Sequence, residues 1–582
     1  MTDYLYPRPQ IRRNDYMLLR KGWLLNGLPI RMPFPPQAPL SAYEGPIGDI
    51  LVYETHFVLP ESWKNMRILL HFEAVDQTAE VSVNGRVVGT HEGGYLRFTF
   101  DITGEVSFDG ENDLTVTARD ENADVYPYGK QSRHPVGIWY TEVSGIWKDV
   151  WLEPVPQNYI TSVALTPTLT GVSIRVFTNQ RIHPGFTFSF SAPPEDDTGL
   201  YEDAELPQGR DPGSPEKPFS DKISFAGGRG EIEIQSPHLW TPENPYLYYG
   251  TITCENDTVE VYFGLRTVQI RQVGGFSRVL LNEQPVFLNG VLDQSYFPSG
   301  IYVPHARDEY EKDILRMKNL GFNLIRMHIK VESEQFYYAA DRIGMLVMQD
   351  MVNNGSFDQM KNAVLPNIGF SHRSDRFFFR HLPGAEREQH RRQFFLRHMK
   401  DTARQLYNHP SIIAYTIFNE GWGQFESDRL YEVLHKVDGS RLIDSTSGWF
   451  RQKESDFDSR HVYFRNKKLK SRGDQVLFLS ECGGYGLQLP QGHGWYQRSR
   501  AQYQYARCED QDELMRRISK LYEKMILPSI RKGLCGVIYT QLSDVENEIN
   551  GLYSYDREVC KVNRAKMLCL ASSAAEEFQK SL

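Results

Sequence analysis

Apolar and polar positions alternate with a period of two through the first part of the chain. VYETHFVL (52–59), MRILLHFEAV (66–75), AEVSVNGRVVG (79–89), YLRFTFDIT (95–103) and NDLTVTARD (112–120) read as strands divided by Gly, Asn, Asp and Pro. Asn84-Gly85, between VSV and RVV, is the two-residue turn whose positive φ values match the twist of a hairpin. Short strands at this spacing, with no helical stretch between them, predict a β-sandwich over residues 1–155. A second β-rich segment (156–271) carries SVALTPTL, VSIRVFTN, GFTFSFSA, GEIEIQSP and VEVYFGLRTVQIRQV, and predicts a smaller sandwich of immunoglobulin type. Within it, 193–220 is rich in Pro, Gly and acidic residues and reads as an exposed insertion.

From about residue 272 the period changes. Apolar runs that read as buried strands now alternate with helical stretches: 285–292, 323–329, 345–351, 412–420, 441–447, 461–464, 476–481 and 535–542. RDEYEKDILRMKNLG (307–321) has apolar residues at helical spacing and ends in Gly. Eight such strands with helices between them predict a (β/α)8 TIM barrel over 272–582. A doubly wound open sheet is the rival, but no Gly-rich turn follows the first strand. The 352–409 stretch exceeds an ordinary crossover. Its second half reads as the barrel helix, and 352–385 as a loop shaping the pocket or as a surface for a second copy in a homo-oligomer.

Composition narrows the function classes. A net charge of −9 offers no basic field for nucleic acid or an anionic membrane. No apolar run approaches the roughly 18 residues of a membrane span. The first residues lack the apolar core of a secretory leader, and the six cysteines show no CxxC spacing; both predict a reducing, cytoplasmic setting. No HxH, HExxH, P-loop or dinucleotide motif is present, so neither metal nor cofactor is expected.

In a TIM barrel, chemistry sits at the C-terminal ends of the strands. Those ends offer Arg326 and His328, Asp350, Asn419-Glu420, His461 and Tyr463, Glu481, and Tyr539 with Gln541; Trp449 follows the fifth strand. Glu420 and Glu481 each end an apolar strand, where a charge is costly to place. Strands four and seven lie on opposite sides of the mouth, so these carboxylates can face each other as the acid/base and nucleophile of retaining glycoside cleavage. Taken singly, either Glu could cap a helix or pair with an Arg. Arg326 reads as a partner of the nucleophile ahead of a sugar ligand of its own; Asp350 and Asp544 read as sugar ligands or helix caps, and Tyr463 and Trp449 could orient Glu481, stack on a sugar or simply pack.

These motifs, in order and across essentially the whole chain, resemble glycoside hydrolase family 2. NHPSIIAYTIFNEGWG (408–423) resembles the acid/base segment, with Glu420 in that place and Asn419 in the place that binds the sugar 2-hydroxyl. FLSECGGYG (478–486) resembles the nucleophile segment, with Glu481 as nucleophile and Cys482 where an aromatic residue is usual. NLIRMHIKVES (323–333) resembles the segment whose His, here His328, reaches the sugar; VSGIWKDVWLEPV (143–155) and TQLSDVENEINGLYSYDR (540–557) are also similar to family segments. The resemblance implies a jelly-roll sandwich, an immunoglobulin-like sandwich and a catalytic barrel. It also implies retaining, exo-acting hydrolysis of a terminal β-linked sugar, and a sugar-stacking place at the eighth strand, held here by Tyr539.

The sugar is less legible. Glu548-Ile549-Asn550 stands where the glucuronidase branch has an Asn-x-Lys pair, and Trp139 where the galactosidase branch has an acidic residue. The basic loop YFRNKKLKSR (463–472) reads as solvated, or as the source of a cation for a sugar carboxylate. A β-galactosidase-type activity is therefore expected first and a β-uronidase second. A non-catalytic carbohydrate-binding protein is the rival from another class, and it would not need the paired carboxylates.

Overall fold

The alternating segments of the first sandwich form a six-stranded and a four-stranded antiparallel sheet packed face to face. Ile50–Phe57 and Asn112–Arg119 pair along their whole length, and their inward side chains, Leu51, Tyr53, Leu114 and Val116, are completely buried. The Asn84-Gly85 turn joins Thr78–Val83 to Arg86–Glu92 with both residues at positive φ. The computed structural model describes residues 6–180, 185–193, 222–306, 308–367, 370, 374–376, 384–464, 466–489 and 503–582.

A three-stranded sheet (Ile160–Pro167, Gly171–Thr178, Arg229–Glu233) and a four-stranded sheet form the second sandwich, around Ile174, Phe188, Ile252 and Val259. The acidic, Pro-rich insertion expected at 193–220 lies, beyond Pro193, outside the described residues. All six cysteines are free, and no helix is long and apolar enough to cross a membrane.

The barrel strands are Leu288–Asp293, Leu324–Met327, Leu346–Asp350, Ile412–Asn419, Leu442–Ser447, Phe457–Val462, Val476–Gly483 and Leu534–Thr540. All are parallel, in the order 5-4-3-2-1-8-7-6. Side chains stitch the seam between strands five and six: the Ile443 N–H donates to Asp456 (2.7 Å) and the Ser445 N–H to the Ser455 hydroxyl (3.2 Å).

Two local differences from the sequence expectation involve strand six. Strand six begins at Phe457, earlier than expected, because Asp458 and Arg460 pair inside it at 2.8 Å and disguise it as polar. Among the described residues, helices follow strands one to four, seven and eight, but none follows strands five or six. Those two connections are nearly devoid of helical apolar spacing; among the described residues of the second, only Leu469 is buried. The loop 463–475 thus stands where a helix would.

Candidate active site

Strand seven carries its carboxylate inward through a bulge. The ladder to strand six skips Ser480, which sets Glu481 opposite His461. Arg326 of strand two reaches across the barrel floor and donates to Glu481 Oε1 (3.2 Å) and to the Ser480 carbonyl (3.1 Å). The Tyr463 hydroxyl donates to Glu481 Oε2 at 2.5 Å. Burial pushes the Glu481 carboxyl up, but His461, Arg326, His328 and the Tyr463 hydrogen bond outweigh it and hold the group below the usual carboxylate range. Glu481 is therefore an anion at neutral pH.

Glu420 follows the last residue of strand four and adopts φ +53°, a left-handed conformation uncommon for a residue other than Gly. Its backbone is pinned on both sides. The Glu420 N–H donates to the Ser447 carbonyl (3.0 Å), and its own carbonyl accepts from Asn362 (2.9 Å) and from the Trp449 indole (3.1 Å). His461 Nδ1 lies 2.9 Å from Glu420 Oε1 and 3.4 Å from Glu481 Oε2. An oxygen of each carboxylate and a ring nitrogen of His461 all lie within 4.8 Å of one another. Among the described residues this is the one group of His, Cys or carboxylate donors close enough to share a cation.

The sequence candidates separate into two layers. Asn419, Trp449, Tyr463 and His328 converge with the carboxylates. His328 shares its Nδ1 with Asp350 at 2.9 Å, and burial lowers its pKa to about 4 against the pull of Asp350. The ring is thus neutral and assigned with its proton on Nδ1, leaving Nε2 to accept from a hydroxyl. Arg326, read from the sequence first as a partner of the nucleophile, and Asp350, read as sugar ligand or helix cap, sit beneath this layer at 0% and 1% exposure. Arg326 donates to Asp350 Oδ1 (2.9 Å) and Asn419 Oδ1 (2.9 Å), so both residues hold the ligands rather than present themselves.

Tyr539 is not brought to the site. Its neighbour on strand eight, Thr540, takes the inward place and meets the Tyr463 hydroxyl at 3.0 Å. Strand alternation sends Tyr539 to the helix side, among Tyr485, Cys482, Cys508 and Tyr522, with its hydroxyl unpartnered. Cys482 is likewise buried on that side, its thiol on the Ile538 carbonyl, so its departure from the family pattern leaves the pocket untouched. Asp544 accepts two hydrogen bonds from Lys561 and one from the Gly551 N–H, which makes it a brace of the strand-eight loop.

Several contributors were missed in the sequence. The Tyr463 ring is stacked on Tyr505 with centroids 3.7 Å apart, and Tyr503 stands edge-on to Tyr505. The loop of the first sandwich between 128 and 142 closes one side of the mouth. The Tyr128 and Gly129 N–H groups donate to the Asn353 carbonyl, the Thr141 N–H donates to Glu546, and the Tyr140 hydroxyl donates to Glu548. Lys130 lies on this loop beside Tyr140, with His328 and Glu548 in its electrostatic range. Trp139 packs edge-on to Trp422, next to the Glu420 turn, with centroids 5.1 Å apart. No spacing in the sequence announces these contacts, and those of the 128–142 loop join segments hundreds of residues apart. In the basic loop, Lys467, Lys468, Lys470 and Arg472 are exposed, and Arg465 lies outside the described residues. The start of the 352–385 segment docks on the first sandwich, and Asn362 reaches Glu420.

Comparison with known proteins agrees with this architecture. Residues 31–156 match the sugar-binding domain of glycosyl hydrolases family 2, residues 159–266 the "Glycosyl hydrolases family 2" model, and residues 272–471 the TIM barrel domain of that family. A β-galactosidase of Thermoanaerobacter pseudethanolicus is 25% identical over 417 residues, covering 67% of this chain and 47% of the relative. A β-glucuronidase of Bacteroides fragilis is 25% identical over 396 residues, covering 65% and 50%. The matched region thus spans about half the length of these curated relatives. The crystal structure of a Ruminococcus gnavus β-glucuronidase superposes with a TM-score of 0.70 at 18% identity, over 99% of this chain and 100% of that one, which shows a common fold. Three consecutive domain matches, on the three domains that carry and frame the paired carboxylates, place the chain in glycosyl hydrolase family 2.

Proposed function

We propose that the protein is a retaining, exo-acting β-glycosidase in which Glu481 is the nucleophile and Glu420 the acid/base. The separation of the two carboxylates carries the reading: an oxygen of each lies within 4.8 Å of the other, in keeping with the roughly 5–5.5 Å of retaining enzymes and too close for the water that an inverting enzyme activates between its base and the sugar. Glu481, kept ionised by its donors, attacks the anomeric carbon while Glu420 gives its proton to the departing oxygen. Glu420 then takes a proton from the incoming water, which displaces Glu481 and restores the configuration. Asn419, with its Oδ1 held by Arg326, turns its amide N–H groups towards the sugar, and neutral His328 offers an acceptor.

Two features favour a neutral terminal sugar of galactose type over a uronate. Glu548 stands in the strand-eight wall, where a sugar carboxylate would meet another carboxyl group rather than a cation, and the described cations of the 465–472 loop face solvent. Lys130 of the first sandwich acts on Glu548, lowering by charge a pKa that burial raises. Exo action is supported by the closed side of the mouth, where Tyr140 and Thr141 meet Glu548 and Glu546.

A panel of galactoside, glucuronide, galacturonide, mannoside, glucoside and arabinoside chromogens tests the reading. The expected result is chelator-insensitive turnover, fastest on the β-galactoside. Glu481→Ala abolishes turnover with the fold intact, and Glu420→Gln impairs poor leaving groups more than good ones. Normal activity of the Glu481 variant, or equal loss on both leaving groups for the Glu420 variant, rejects the assignment.

A further inference from the structure

Glu420 and Glu481 are unequally furnished with donors. Glu481 receives Arg326 at one oxygen and Tyr463 at the other. Among the described residues, the Glu420 carboxyl group has a single hydrogen-bonding side chain, His461, at Oε1. The imidazole is completely enclosed. Gly448, at φ +94°, lies so close that a Cβ there would stand 2.9 Å from the ring, and Trp449 packs edge-on with centroids 5.4 Å apart.

A chain of hydroxyls across the strand five–six seam assigns the ring proton. Ser480 donates to the Arg460 carbonyl (3.2 Å), and Ser459 donates to Ser480 Oγ (2.6 Å). Ser459 has then spent its only proton, and Ser447 lies 3.0 Å from His461 Nε2 but 3.4 Å from Ser459 Oγ. Donation by Ser447 to the nearer ring nitrogen makes Nε2 the acceptor and places a ring proton on Nδ1.

We infer that His461 is a positioning residue for the acid/base: its Nδ1–H occupies Glu420 Oε1, so that the proton delivered to the leaving group is carried by Oε2. The role rests on the reading of Glu420 and Glu481 given above. A neutral carboxyl group free to turn presents either oxygen to the leaving group. One held by an N–H at its carbonyl oxygen keeps the acidic proton where the glycosidic oxygen needs it, and the same N–H supports the carboxylate once that proton has gone.

The test uses the full chain and the β-glycoside it turns over best, as methyl, 4-nitrophenyl and 2,4-dinitrophenyl derivatives. His461→Ala is expected to lower kcat/KM at least about a hundredfold on the methyl glycoside and less than about tenfold on the dinitrophenyl one, whose phenolate leaves without protonation. His461→Asn, which returns an N–H near the Nδ1 place, regains at least about tenfold on the methyl glycoside. Ser447→Ala, which leaves the ring in place, reproduces the same bias at smaller amplitude and serves if His461→Ala fails to fold. Equal loss on all leaving groups, or an Asn variant no better than Ala, overturns the role. If wild-type protein turns over no β-glycoside, or Glu420→Gln keeps the full rate, the glycosidase reading falls and this inference with it. If those controls behave and the His461 series is flat across leaving groups, the role of His461 alone falls.

Discussion

Arg326 shows how one buried side chain organises several others. Its guanidinium meets Asp350, Asn419, Glu481 and the Ser480 carbonyl, and so fixes three strand ends relative to each other. A fully buried charge of this kind is tolerable only because its partners neutralise it and satisfy its fork geometry. Glu481 inherits its ionisation from the same neighbours. Burial raises its pKa, and His461, Arg326, His328 and the Tyr463 hydroxyl together reverse the sign. Tyr463→Phe removes one of these donors while stacking on Tyr505 keeps the ring in place. The Glu481 carboxyl then titrates higher and less nucleophile is ionised at low pH. The acid limb of the kcat/KM profile is expected to move to higher pH, by about one unit. An acid limb that stays in place, or moves down, contradicts this account of the nucleophile.

At the scale of elements, strand alternation and loop docking decide which candidates reach the pocket. Strand eight offers Tyr539 and Thr540 side by side, and a one-residue difference in register exchanges the barrel interior for the helix layer. Thr540 holds the inward place, so Tyr539 cannot stack on a sugar. Its buried hydroxyl has no partner. Tyr539→Phe is therefore expected to keep kcat and KM within about twofold and to leave stability equal or slightly higher, since an unsatisfied buried hydroxyl costs free energy. A tenfold rise in KM would return Tyr539 to the site. The 128–142 loop acts the other way, carrying first-sandwich residues to the barrel rim. Gly129 seats it there: with φ +63°, a Cβ would stand 2.8 Å from the Ile329 carbonyl, one residue beyond His328.

Over the whole molecule, the three domains are locked by buried polar links as well as by apolar packing. Arg13 donates to Glu153 of the first sandwich (3.0 Å) and to Asp257 of the second (2.7 Å), with all three side chains nearly inaccessible. Arg13→Ala strands two buried carboxylates. It is expected to cost about 3–5 kcal/mol, read as a lower denaturant midpoint, while kcat of the folded fraction stays unchanged because none of these groups touches the site. An unchanged midpoint would show that the junction draws nothing from this link. The sequence by itself determined the order of the domains, the eight barrel strands and the two carboxylates, because period-two and period-3.6 burial and the cost of charge at the end of an apolar strand are local properties. It misled where a strand carries its own ion pair, as at Asp458 and Arg460, and it left open which face a strand-end residue takes, as at Tyr539. Only the tertiary structure decided that Asp350 lies beneath the sugar layer, that His461 bridges the carboxylates across the strand five–six seam, and that Lys130, Trp139 and Tyr140 border the mouth. Those relations depend on register, on a bulge at Ser480 and on contacts between segments hundreds of residues apart, and nothing in local sequence encodes them.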